Sequence, residues 1–338
     1  MGGAGPYAPG AMEDHDETKH ADLVLEGGGV KNVALLGAVL ALAEAGYTFP
    51  RVAGTSGGAI IAAAIAAYQR AGLDYMGLMD AMVTVDNTQF TKYRRPGRIA
   101  GPVSGLADLM RHGGMHASDY VHQILGPPLA KAGVSTFGDL RIDDDHGTGL
   151  PQPQQYSLVV HVSDLTRRVL VRLPWDYADY GRDPDDQSVI EAVRASMSIP
   201  FYFRPVKIPT EQGEVTWVDG GLLVNFPLTT FDRGDGRPAR WPTWGVKVSS
   251  SPPWTADQPV TGPFRLGVRC LQTLTGDWYR SWHAEGAARR TIQVDTSGVK
   301  STDFNLTPAT RDKLFESGRR AATEFLERYG DQAGHTPT

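Results

Sequence analysis

A chain of 338 residues, 41% of them apolar, has the material for a large buried core and needs no disulfide or metal staple to hold it. Its single cysteine, Cys270, excludes an intramolecular disulfide and any cysteine-rich metal site. The net charge of -5 offers no basic footprint, which excludes nucleic acid as a partner class.

Residues 1–20 lack the apolar stretch of about 7–15 residues that a secretory signal carries. They read as a disordered arm, as residues 331–338 read as a disordered tail. Between them, 21–330 is expected to form one α/β domain. A short strand over 22–26 stops at Gly27-Gly28-Gly29, and a helix over 33–46 follows, with Gly46 as its C-terminal cap. A second strand over 49–53 turns at Gly54-Thr55-Ser56-Gly57-Gly58 into the run Ala59 to Ala67, apolar all round and therefore a buried helix. Strand, helix, strand, helix in about 45 residues predicts a βαβ unit and a parallel sheet.

From 75 to 149 the pattern is mostly helical, broken at Pro96-Gly97, Gly113-Gly114 and Gly126-Pro127-Pro128, and reads as an insertion or cap beside the sheet. Its basic run, Lys92 to Arg98, is either a solvated loop or a contact for anionic head groups. Strands are predicted at 156–163 and 167–173, joined at Asp164-Leu165-Thr166. Then come a helix at 188–197, an aromatic strand at 201–206 and a strand at 215–218 ending on Asp219-Gly220-Gly221. A strand at 243–249 and helices at 264–288 and 309–329 close the chain. The strongest apolar run, Ala59 to Ala67, is far short of the ~18 residues a bilayer crossing needs. A cytoplasmic protein with at most transient peripheral contact to a membrane is expected.

Gly54-Thr55-Ser56-Gly57-Gly58 has the form G-x-S-x-G between a strand and a helix. A strand running straight into a helix places the residue at the tip under backbone strain. Its hydroxyl then projects above the positive end of the helix dipole, where negative charge is stabilised. Gly27-Gly28-Gly29 bares backbone N–H groups able to bind a phosphate or a tetrahedral oxyanion. A dinucleotide fingerprint needs glycine where the chain has Asn32, and no Walker lysine follows. An oxyanion hole shared with the N–H of Gly57 is the better reading. Lys31 either adds positive charge to it or is simply a solvated lysine at a helix start.

A serine nucleophile needs a proton acceptor. Of nine histidines, only His283 follows a plausible acid, Asp219, within an expected helix, so a Ser56-Asp219-His283 triad is one alternative. Asp219 itself stands where an apolar strand meets two glycines, a poor place for a carboxylate on stability grounds. With an ordinary pKa of about 3.9 it is a weak base unless it is desolvated or pressed against the hydroxyl. Gly220 and Gly221 permit that approach.

In this order, the motifs Gly27-Gly28-Gly29-Val30-Lys31, Gly54-Thr55-Ser56-Gly57-Gly58 and Asp219-Gly220-Gly221 resemble those of the patatin-like phospholipase family. The stretch Ala195-Ser196-Met197-Ser198-Ile199-Pro200 resembles the family's segment ahead of the aspartate strand, and the likeness extends over roughly 21–228. The resemblance implies a three-layer α/β/α sandwich with a central, mostly parallel sheet. It implies hydrolysis of lipid acyl esters by a Ser–Asp dyad, with neither metal nor cofactor. Ser56 takes the place of the nucleophile and Asp219 that of its activator. Gly28 and Gly29 are the oxyanion donors, Gly27 shapes the loop, and Lys31 fills the basic position. Gly54, Gly58, Gly220 and Gly221 complete the motifs. Asn32 departs from the glycine usual there and bears on the loop's geometry. The expected partner is a lipid substrate, and a protein activator is left open. Two aromatic sets, Phe201-Tyr202-Phe203 and Trp175, Tyr177, Tyr180, are core or acyl-groove lining, core being the commoner use. A catalytically silent lipid-binding module is the third reading; intact motifs argue against it.

Overall fold

The computed structural model describes residues 19–75, 77–78, 114–116, 120–143, 150–237, 239–248, 266, 285–299, 303 and 306–330. The Lys92 to Arg98 run, His283, Cys270 and the chain ends lie outside them.

The fold is α/β around a central, mostly parallel sheet. Its strands are β1 (Asp22–Leu25), β2 (Val52–Thr55), β3 (Leu158–Asp164), β4 (Val169–Leu173), β5 (Val206–Thr210), β6 (Gly213–Asp219), β7 (Thr243–Lys247) and β8 (Thr291–Gln293). Among the described residues, five helices of eight residues or more accompany them: α1 (Asn32–Glu44), α2 (Gly57–Arg70), α3 (Val121–Ala132), α4 (Val189–Ser196) and α5 (Pro308–Tyr329). The sheet order is β8-β7-β1-β2-β3-β6-β5, with β4 also paired to β3. Strands β8, β7, β1, β2 and β3 are mutually parallel, and β4, β5 and β6 form an antiparallel wing. The parallel strands are buried on both faces, which is why 22–25 and 52–55 read as continuous rather than alternating apolar runs.

The register of β3 determines the site. Leu158 to His161 pair with β2, while Val160 to Asp164 pair with β4. These spans overlap, so β2 and β4 occupy opposite edges of β3. Val162 to Asp164 pair with β6, which therefore lies on the β2 edge, just past the end of β2. Running antiparallel, β6 meets β2 head-on: Thr55 is opposite His161, and Asp219 is opposite Val162.

Helix α2 rides on this junction at backbone contact. A Cβ on Gly54 would stand 2.5 Å from the Gly58 carbonyl oxygen, and one on Gly58 would stand 2.5 Å from that of Glu26. Helices α1 and α5 approach as closely, since a Cβ on Gly37 would meet the Phe315 carbonyl oxygen at 2.1 Å. At the far end of the sheet, the buried Asp22 carboxylate is gripped by the fork of Arg51, whose Nε donates to Oδ1 at 3.0 Å. Burial outweighs the attraction of Arg51 and pushes Asp22 up to about 6. Asp22→Ala strands the Arg51 guanidinium without its carboxylate and is expected to lower stability by about 3–5 kcal/mol, read from urea unfolding at neutral pH.

Three sequence expectations are corrected. Gly126-Pro127-Pro128 does not break the chain, because α3 runs through both prolines to a left-handed Gly133. Its buried face, Val121, Ile124, Leu125, Pro128 and Leu129, supplies the packing that overrides propensity. The aromatic strand at 201–206 is two strands. Phe201–Phe203 pairs with Gly114–His116, β5 joins the main sheet, and Pro205, with no N–H to give a ladder, separates them. Lys19 and His20, expected within the disordered arm, form a short strand paired with Tyr47–Thr48. Of the helix expected over 264–288, Leu266 and Glu285–Ala288 are helical, and the rest lies outside the described residues.

Candidate active site

Ser56 ends β2 and opens α2 with φ 52° and ψ -125°, a conformation rare for any residue with a Cβ and costing about 1–3 kcal/mol. It is held there from behind. The Ser56 N–H donates to Ser196 Oγ at 2.9 Å, and the Ser196 hydroxyl donates to the His161 carbonyl at 2.7 Å. In front, Ser56 Oγ donates to Asp219 Oδ2 at 2.6 Å, with Met197 Sδ 3.8 Å away. Asp219 is fixed in turn. Its N–H donates to the Ser198 carbonyl at 3.0 Å, and its Oδ1 accepts from the Gly221 N–H at 2.7 Å. Burial pushes the Asp219 carboxyl up to about 6, against the lowering effect of its hydrogen bonds from Ser56 and Gly221. A carboxylate so placed is a far better proton acceptor than one in water.

Gly220 makes this packing possible: a Cβ there would stand 2.3 Å from the His161 carbonyl oxygen. His161 is buried too, with Nδ1 3.3 Å from the Gly54 carbonyl and Nε2 3.0 Å from Thr230 Oγ1. Burial pulls its pKa down to about 4, so the ring is neutral and braces the sheet. The direct contact between Ser56 and Asp219 leaves no space for an imidazole between them, as a triad requires.

The glycine loop lies across α2's first turn. A Cβ on Gly57 would be 2.9 Å from the Gly29 oxygen and 3.1 Å from its nitrogen. Gly29 has φ +55°, open to glycine and strained for other residues. Among the described residues, the N–H groups of Gly28, Gly29 and Gly57 find no backbone acceptor, whereas that of Gly27 donates to the Asn225 carbonyl at 3.0 Å. Asn225, which no motif picks out, ties the two loops together. Its Nδ2 donates to the Gly27 carbonyl at 2.8 Å, and its Oδ1 occupies the space that a Cβ on Gly27 or on Gly221 would need. Lys31 is buried, and its Nζ donates to the Val248 carbonyl at 3.4 Å while the Glu26 carboxylate accepts from the Val248 N–H at 2.6 Å. Burial lowers the Lys31 pKa, and Glu26 opposes the shift. The lysine thus anchors the loop to the end of β7.

Ser196 and Ser198 give the 195–200 stretch its physical meaning: one holds the serine backbone, the other the aspartate backbone. Ser196→Ala should leave a folded protein with kcat lowered about 10–100-fold and KM little changed, because it orients Ser56 without meeting substrate. Trp175, Tyr177 and Tyr180 are core, with Tyr180 5.0 Å from Trp217 and Trp175 6.1 Å from Phe231 between ring centroids. Phe203 is buried, while Phe201 is exposed. Among the described residues no group of three or more His, Cys, Asp or Glu is arranged to hold a metal ion, and no helix is long and apolar enough to cross a membrane.

A hydroxyl and a desolvated carboxylate are thus in contact at a strained strand-to-helix turn, beside backbone N–H groups without a backbone acceptor. Residues 23–232 match the patatin-like phospholipase family, and the chain belongs to that family, one of lipid hydrolases. It is 33% identical over 311 residues to the uncharacterized protein YqhO of Bacillus subtilis, covering 92% of this chain and 99% of YqhO. Among solved structures, VipD from Legionella pneumophila is similar with a TM-score of 0.46 and 18% identity, over 93% of this chain and 67% of VipD. The type III effector ExoU has a TM-score of 0.46 at 17% identity, and the match spans 92% of this chain but only 53% of ExoU.

Proposed function

We propose that the protein hydrolyses fatty-acyl esters of lipids, as a phospholipase A or lysophospholipase, with Ser56 as nucleophile and Asp219 as its base. The observation that carries this reading is the 2.6 Å contact between Ser56 Oγ and a buried Asp219 whose carboxyl is pushed up to about 6. In the first half-reaction Asp219 takes the Ser56 proton as Oγ bonds to the ester carbonyl carbon. The oxygen of that carbonyl gains the negative charge and is met by the N–H groups of Gly28 and Gly29, with that of Gly57 and the N-terminal dipole of α2 in support. Collapse breaks the bond to the leaving alkoxide, which takes the proton from Asp219, and Ser56 carries the acyl group. Water then repeats the steps: Asp219 takes its proton, the hydroxyl attacks the acyl carbon, and the fatty acid leaves as Ser56 Oγ regains a proton. No step calls for a histidine.

Fatty-acid release from mixed phospholipid vesicles, with a soluble short-chain ester run beside it, tests the reading. Release of fatty acid is expected. Vesicle binding with no turnover of either substrate would instead support a silent lipid-binding module.

A further inference from the structure

Five large apolar side chains are markedly exposed among the described residues: Leu165, Val169, Phe201, Leu223 and Leu266. Leu165 and Val169 stand on the edge of the sheet where Ser56 lies, and Phe201 and Leu223 lie a few residues along the chain from groups that hold the site. Leu165 and Val169 flank the β3–β4 turn, three and seven residues past Val162, the residue opposite Asp219. At about 3.3 Å per residue, the turn rises roughly 10 Å beyond the level of the Ser56–Asp219 contact. Phe201 follows the 196–198 stretch that holds the serine, and Leu223 follows Asp219 by four residues, its N–H donating to the Gly220 carbonyl.

Strain has the same distribution. The three non-glycine residues with positive φ among the described residues are Ser56 at 52°, Arg168 at 60° and Phe201 at 67°. An exposed phenylalanine and an exposed turn arginine gain no buried contact in return, which marks a feature retained for something outside the chain. The turn is built firmly: Asp164 Oδ1 accepts from the N–H groups of Thr166 and Arg167 at 2.8 and 2.9 Å, and the Arg167 guanidinium lies 4.2 Å from the centre of the Tyr180 ring. Leu165 to Val169 carries two arginines and no acid. The neighbouring β5–β6 hairpin is not basic, since Lys207 is 3.3 Å from Glu214 and Glu211 sits at its turn.

We propose that the β3–β4 turn, with Phe201 and Leu223, is a docking face for an anionic lipid bilayer. Leu165 and Val169 enter the head-group region, Arg168 meets lipid phosphates, and the membrane comes to rest on the edge that carries Ser56. Apolar tips beside cations suit the interface between acyl chains and anionic head groups, and a protein partner would leave the alignment with the serine unaccounted for. The choice of occupant rests on the lipid-hydrolase reading, so the test separates the two.

Co-sedimentation of the Ser56→Ala protein with vesicles of phosphatidylcholine alone, or with added phosphatidylglycerol, reads docking without turnover. Binding is expected to favour the anionic vesicles by about tenfold. Leu165→Ser with Val169→Ser should weaken binding to both vesicle types by about tenfold or more. Arg168→Gln should weaken only the anionic preference, by about fivefold, the equivalent of ~1 kcal/mol per basic residue at the surface. In the Ser56 background neither change should alter turnover of the soluble short-chain ester. Unchanged vesicle binding in the Leu165/Val169 variant would overturn the proposal, as would equal binding to neutral and anionic vesicles. Turn-dependent binding in a protein that turns over no ester would uphold the docking face and remove the hydrolase reading instead.

Discussion

Ser56→Ala is expected to abolish lipid hydrolysis, with turnover falling on the order of 10⁴-fold or more, because it removes the hydroxyl proposed to carry the acyl group. The fold survives the change. Alanine keeps the backbone that Ser56 adopts, and the N–H bond to Ser196 involves no part of the lost hydroxyl. Ser56→Gly is equally inactive yet more stable than Ser56→Ala by about 1 kcal/mol or more, since φ 52° with ψ -125° is open to glycine and strained for alanine. Urea unfolding of the two variants beside their esterase rates checks both parts. A glycine variant no more stable than the alanine variant would show that the turn carries no strain.

Asp219→Asn is the second large effect. It keeps the shape of the side chain and an oxygen for the Gly221 N–H, but removes the carboxylate proposed as the base, and kcat is expected to fall about 10³-fold or more. In the wild type, kcat/KM should drop about tenfold per pH unit below about 6, as protonation of Asp219 removes the acceptor. Stability moves the opposite way. The folded carboxyl titrates at about 6, above its ordinary 3.8, so the native state holds this proton more tightly and the group's contribution to stability declines as pH rises through 6. Asp219→Asn avoids burying that charge. It should exceed the wild type in stability at pH 8, by about 3 kcal/mol at 1.36 kcal/mol per pKa unit, and the difference should vanish near pH 4. Asp22, also pushed up to about 6, is common to both proteins and cancels. A variant less stable than the wild type at pH 8 would contradict the buried-charge argument.

The parts of the site legible in the sequence are those where local chemistry is unusual. Glycines at 54, 57, 58 and 220 are required by backbone contacts of 2.3–3.1 Å and Gly221 by the Asn225 side chain at 2.7 Å, and glycine runs at strand ends signal such close approach directly. Asp219 was legible because an acid at the end of an apolar strand is unfavourable without a purpose. Its head-on meeting with Ser56 was not, because it depends on which edge of β3 the antiparallel β6 joins, and that pairing is long-range. Asn225 and Lys31 illustrate the same limit. An asparagine in a loop and a lysine at a helix start are commonplace, and only the fold turns one into a clasp between two loops and the other into a buried anchor. Helix α3 shows the converse: its two prolines are strong local signals that tertiary packing outweighed.

The central claim is that Ser56, activated by Asp219, bears the acyl group. Peptide mapping by mass spectrometry after reaction with a long-chain alkyl fluorophosphonate tests this most directly, run on the wild type and on Asp219→Asn. The account predicts a single adduct on Ser56 in the wild type, formed at least a hundredfold more slowly in Asp219→Asn. An adduct on another residue, or labelling of Ser56 at an unchanged rate without the Asp219 carboxylate, would contradict it.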